Sequence, residues 1–192
     1  MLKINMMDST LKKISFKNGL LGFTLFIVAY FIMWKIDLSL FLNPLITYPL
    51  SIAMFILAVY SQKQAKKELG GYISFGTALL YFVITTAIAF FGYVVASILI
   101  FNIIDSGAKQ ELLELTIKAS VEMSEKMLGW LGMEDAAGQV SEDQIRDSMK
   151  ISPTPFGITS LIIGYLGNLA FFTVLGLISS LIIKKDKPYE FE

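Results

Sequence analysis

The chain of 192 residues is 55% hydrophobic and only 17% charged, with a mean hydropathy of +0.64, whereas soluble domains are roughly 25% charged. Its 16 basic and 16 acidic residues balance, and it contains neither cysteine nor histidine. Disulfides, thiolate metal sites, cysteine nucleophiles and the commonest general base are excluded, no nucleic-acid partner is expected, and one small membrane domain is the default.

Residues 1–17 carry Lys3, Lys12, Lys13 and Lys17 against one acid, Asp8, and residues 18–34 are uncharged and mostly apolar. A basic segment before an apolar core is also the pattern of a signal peptide. Here Trp34-Lys35-Ile36-Asp37 offers no small-x-small cleavage site and further spans follow, so the segment reads as a first span with Trp34 at the membrane interface. Asn43-Pro44 marks the next helix start, Asn as cap and Pro where its missing N–H costs nothing. The second span covers about 45–60, with Pro49 in its first turns. The polar run 61–68 reads as a turn that leads to Gly70-Gly71. Residues 73–104 then contain no Asp, Glu, Lys, Arg or Pro. As a helix they are about 48 Å long against a hydrocarbon core of about 30 Å, so the third span either tilts or projects.

The segment from 105 to 152 holds ten acids and five bases. Within it, residues 109–131 form an amphipathic helix with Glu111, Glu114, Lys118, Glu122 and Glu125 on one side and Leu112, Leu113, Ala119, Met123, Met127, Trp130 and Leu131 on the other. Glu114 with Lys118, and Glu122 with Lys126, stand in the favoured order for ion pairs of about 0.2–0.5 kcal/mol each. Its apolar face is too wide for a helix alone in water and is expected to pack on the projecting ends of spans three and four, or on a partner protein. Residues 132–139 read as a loop, and Ser141-Glu142-Asp143-Gln144 as a capping box opening a shorter helix to about 151. Ser152-Pro153-Thr154-Pro155 stiffens the return to a last span at about 156–183, before a tail, 184–192, that opens with Lys184, Lys185 and Lys187. The predicted architecture is all-α: an integral membrane four-helix bundle with an extracytoplasmic helical cap, 105–155, between spans three and four.

The N-terminal tail, the 61–72 turn and the C-terminal tail hold ten of the 16 basic residues. Basic residues set topology, so these three segments share the cytoplasmic side and the 105–155 segment lies outside. The run Gly70-Gly71-Tyr72-Ile73-Ser74-Phe75-Gly76, followed by the apolar third span, the acidic loop and a Gly-rich last span, resembles a bacterial membrane-protein family catalogued as domain of unknown function 4199. That resemblance implies a four-span inner-membrane protein with no known activity, and it carries over no catalytic, cofactor or binding residue.

None of the spans holds an ionisable residue near its middle, which disfavours proton-coupled transport and gated ion conduction. Glu134-Asp135 and Glu142-Asp143 lack the spacing of a calcium loop and read as solvated helix ends. Lys63, Lys66 and Lys67 are candidates for lipid headgroup contacts, and Met123, Met127 and Trp130 mark the face that meets the bundle or a partner protein. A helix-packing seam is expected between spans three and four. Gly157, Ser160, Gly164 and Asn168 line one side of it; Ala78, Thr85, Ala89, Gly92 and Ala96 line the other, with Asn168 buried and bonded to Thr85, to a backbone carbonyl beside it, or through a water. These readings lead to a non-enzymatic membrane protein, without cofactor or metal, that works through protein or lipid contacts. The alternative is an oligomeric small-molecule channel or transporter.

Overall fold

The computed structural model describes residues 2–133, 140–151 and 156–187. The predicted loop at 132–139 and the Pro-rich return at 152–155 lie largely outside them. Four helices are long and apolar enough to cross a membrane, and we number the helices in chain order. Helix α1 is Leu2–Ile36, α2 is Pro44–Glu68, α3 is Phe75–Ile98, α4 is Ser106–Trp130, α5 is Glu142–Ile151 and α6 is Ile158–Ile183. A short 3-10 turn, Leu38–Phe41, links α1 to α2, and a π-helical segment, Leu99–Ile104, continues α3 before the chain turns into α4.

Local chemistry sets these boundaries. The Asn43 side chain accepts the Leu45 N–H at 2.9 Å, with Pro44 in the first helical position. Ser74 caps α3 through Thr77, and Gly70 and Gly71 reverse the chain ahead of it with φ of 78° and 86°, angles that cost glycine nothing. The predicted capping box is present: Gln144 N–H donates to Ser141 Oγ at 3.2 Å and Ser141 N–H to Gln144 Oε1 at 3.3 Å. One boundary differs from expectation. The polar run 61–68 is no turn but the last two turns of α2, because Ser61, Gln62 and Ala65 face inward, fully buried, among the other helices.

The core is built around α3, which meets α1, α2 and α6. Its small-residue stripe packs on α1 rather than on α6. A Cβ added to Gly22 would lie 2.6 Å from the Ala89 Cβ, and one added to Gly92 would lie 2.5 Å from the Phe23 carbonyl oxygen. The two backbones therefore touch where both helices lack bulk, as small-residue seams in membranes allow. Helix α6 is left with the aromatic side of α3: the Phe90 and Phe172 rings stand edge to face at 4.7 Å, and Phe82 lies against Gly176.

Replacing Gly92 by alanine should destabilise the protein by about 1–3 kcal/mol, the usual cost of overfilling a close contact, because the Phe23 backbone cannot yield as a side chain does. Gly76, with open space around its Cα, serves as the control. Unfolding midpoints in detergent micelles should separate Gly92→Ala from Gly76→Ala. Equal midpoints would refute the α1–α3 seam.

Candidate functional site

Two regions concentrate chemistry, one at each end of the bundle. At the end that carries the 69–74 turn, a buried polar layer joins all four spans. Asn18 Nδ2 of α1 donates to Ser61 Oγ (2.8 Å) and Gln64 Oε1 (3.1 Å) of α2. Thr85 of α3 donates to Ser61 Oγ, Gln62 Nε2 donates to Ser180 Oγ of α6 at 2.8 Å, and Ser180 in turn donates to the Gly176 carbonyl. Polar groups taken from water must find partners within the protein, so this layer fixes the mutual register of the helices more than it adds stability. Among the described residues Gln62 Oε1 and the Tyr81 hydroxyl are buried there without a partner.

The same end is closed by the chain itself. Ile73 and Lys185 exchange both backbone hydrogen bonds at 2.9 Å, joining the turn before α3 to the segment after α6. Lys185 Nζ stands 5.1 Å from the centre of the Tyr72 ring. Lys66 Nζ donates to the Ile183 carbonyl at 2.7 Å, satisfying one of the orphan acceptors at the end of α6. Lys66 is thus committed to the bundle, whereas Lys63 and Lys67 are exposed and keep the position expected of headgroup contacts.

At the opposite end the cap begins on Asp105. Its carboxylate accepts Trp34 Nε1–H at 3.0 Å and the Ala108 N–H at 3.0 Å, so one side chain ties the end of α1 to the start of α4. Those bonds, the Trp34 bond first, hold its pKa below the ordinary carboxylate value. Only the first half of α4 then packs: Ala108, Leu112 and Ile117 are buried, with Leu112 against Leu38, Ile100 and Phe101. In the second half Met123, Met127, Trp130 and Leu131 are exposed, Trp130 by 87%. The expectation that this whole face rests on the span ends is therefore corrected. Along that face α4 is buried against the bundle only at Ala108 and Leu112.

Helix α5 braces α4 from its polar side. Arg146 grips Glu114 with two parallel bonds of 2.7 and 2.6 Å, which displaces Lys118 from the predicted pair, while Glu122 and Lys126 pair as expected at 2.6 Å. Sequence spacing finds partners within one helix and has no access to a partner 32 residues away.

The predicted seam is only partly assembled. Gly164 meets α3, where a Cβ added to it would lie 3.4 Å from the Tyr93 hydroxyl, but Thr85, Ala89 and Gly92 face α1 and α2. Asn168 is exposed at the groove between α2 and α6 and donates to the Gly164 carbonyl of its own helix at 2.8 Å. It does not reach Thr85, because α1 has already taken the small stripe of α3. Ser160 precedes it by two turns on α6. Among the described residues no three Asp or Glu side chains converge as metal ligands would.

Fold and composition define the class: an all-helical, multi-pass membrane protein. A family model described as a protein of unknown function (DUF4199) matches residues 13–185, from the start of the first span to the Ile73–Lys185 pairing, and the chain belongs to that family. No curated protein and no solved structure matches it.

The Arg146 bond lowers the pKa of Glu114, so the brace is at full strength above the ordinary carboxylate value of about 4.3 and is lost as pH falls through the lowered one. Amide exchange in α5, corrected for intrinsic rates, should stay protected from pH 7 to 5 and lose protection only as pH falls below the ordinary glutamate range. Glu114→Gln should already show the loss at pH 7; wild-type protection in that variant would refute the brace.

Proposed function

We propose that this protein is a non-enzymatic accessory component of a bacterial inner membrane that works by contact, with the bare half of α4 as its working surface. The observation that carries this reading is the division of one apolar face. It is buried over Ala108 and Leu112, and open over Met123, Met127 and Trp130. Methionine and tryptophan supply adaptable, high-area contacts and are favoured where one protein grips another. The opposite side of α4 carries Glu111, Glu114, Glu122 and Glu125, so anionic lipid would not draw this helix as it draws Lys-rich ones, and an apolar segment of another protein is the fitting occupant. The middle of the bundle favours contact over conduction, since Phe82, Phe90, Phe172 and Met54 fill it.

In this reading the 69–74 turn and the Lys184–Lys185 end face the cytoplasm, Lys63 and Lys67 lie at the headgroups, and α4 and α5 stand outside. Reporter fusions after Lys187 and after Gly132 should give opposite compartment readings; matching readings would remove the outer cap from the proposal.

A photoreactive benzophenone amino acid placed at Met127 should form protein adducts in intact cells, and one at Glu122 on the polar side should not. Trp130→Glu should reduce the Met127 adduct severalfold while leaving the protein folded, because Trp130 makes no buried contact. Adducts to lipid alone, or equal adducts from both positions, would overturn the reading.

A further inference from the structure

Helices α2 and α6 meet only loosely, and two spaces lie beside them. One is a half-enclosed chamber of about 150 Å³ between α1, α2, α3 and α6, walled by the rings of Phe26, Tyr30, Phe41, Phe90, Tyr93 and Phe156. The other is a groove of about 390 Å³ on the outside of the bundle, lined by Tyr48, Ile52, Phe55, Phe171, Phe172 and Leu175. Ser51 and Asn168 line both and stand between them. Ser51 lies seven residues into α2 and Asn168 ten residues into α6, about 11 and 15 Å from the cap-side ends of their helices, within the depth of the hydrocarbon.

Three properties of this place fix the chemistry of an occupant. First, the Tyr93 residue is only 8% exposed and its hydroxyl has no well-formed hydrogen bond among the described residues. The Asn168 side chain is its nearest polar neighbour, close enough for a loose interaction but outside good hydrogen-bond geometry, and it is free to turn toward a guest. Burying a hydroxyl unbonded costs its full desolvation, so Tyr93 calls for a guest atom that accepts or donates. Asn168 spends one N–H on Gly164 and keeps a second for the same guest. Second, no charged side chain lines either space, so an ionised headgroup would be stranded there. Third, a cavity of about 150 Å³ holds one benzene-sized ring, and aromatic walls favour a ring seated edge to face. The groove outside, with Tyr48, Ile52 and Phe171 exposed, gives sideways access from the acyl-chain region and a bed for an aliphatic tail.

We propose that the chamber binds a neutral, membrane-dissolved amphiphile made of one six-membered ring bearing a carbonyl or hydroxyl and an aliphatic tail. The ring sits among the aromatic walls with its oxygen on the Tyr93 hydroxyl and the Asn168 amide, and the tail leaves between Ser51 and Asn168 along the α2–α6 groove. The site is independent of the bare face of α4, and its failure would leave the contact reading untouched.

The full chain in mild detergent is titrated with 1,4-benzoquinone carrying a decyl chain, and native mass spectrometry counts the bound molecules. One saturable equivalent should bind, Tyr93→Phe should weaken it about tenfold through the lost hydrogen bond, and Ser51→Phe, which adds a ring between the two spaces, should abolish it. Decyl phosphate, with the same tail and a charged head, should show no saturable binding. Without added compound, Tyr93→Phe should unfold at the same or a higher temperature than wild type, since it removes an unbonded buried hydroxyl. This arm remains readable even if Ser51→Phe fails to fold. The proposal is overturned by absence of a saturable quinone adduct, by equal affinity in wild type and Tyr93→Phe, or by equal binding of decyl phosphate. A lower unfolding temperature for Tyr93→Phe would also overturn it, by showing that the hydroxyl already has a partner within the protein.

Discussion

The contact on which the other helices depend is the close approach of α1 and α3 through Gly22, Ala89 and Gly92. In a bilayer, lipid tails are as apolar as leucine, so helices associate where backbones can come near rather than where hydrophobic area is greatest. A Cβ at Gly92 would run into the Phe23 carbonyl, so the geometry of that crossing tolerates no bulk. With α1 on the small face of α3, α6 meets α3 across Phe82, Phe90 and Tyr93, and Tyr165 donates to the Ala87 carbonyl at 3.2 Å. The contact of α6 with α2 is sparse by comparison, and a groove lies between them at Asn168 and Ser51.

The ends of the bundle solve the same problem by different means. At the end with the 69–74 turn, Asn18, Ser61, Gln62, Thr85 and Ser180 bond one another across all four spans, and the Ile73–Lys185 exchange and the Lys66 bond to Ile183 close the backbone. These are directional contacts that admit one register and penalise slippage. They also account for the Gly-Gly-Tyr-Ile-Ser stretch. Two glycines reverse the chain, isoleucine pairs with the last segment, and serine opens α3.

At the other end the bundle is joined to its cap through Asp105, whose carboxylate serves Trp34 and the first turn of α4 together. The π-helical turns before it widen the helix and re-aim the chain, a device found often at functional sites. The result is a helix held at one end by Ala108 and Leu112, braced at its side by Arg146, and bare over Met123, Met127 and Trp130. That division is the basis for placing the protein's work in contact rather than chemistry.

The sequence by itself determined the class, the number of spans and most helix starts, because those depend on local quantities. The charge-free stretch from 73 to 104, the Asn43-Pro44 cap and the Ser141 capping box act within a few residues of themselves. The amphipathic character of α4 and the Glu122–Lys126 pair were legible for the same reason. Tertiary structure alone decided which helix met which. Small residues at Ala89, Gly92 and Gly164 announce that a helix will come close without saying whose, so α1 rather than α6 took the stripe and Asn168 moved to a groove. The polar run 61–68 read as a turn because its partners, Asn18, Ala78 and Ser180, are 16 to 118 residues away. Glu114 likewise chose Arg146 over Lys118, since a planar guanidinium brought in by α5 offers two bonds where a neighbouring lysine offers one.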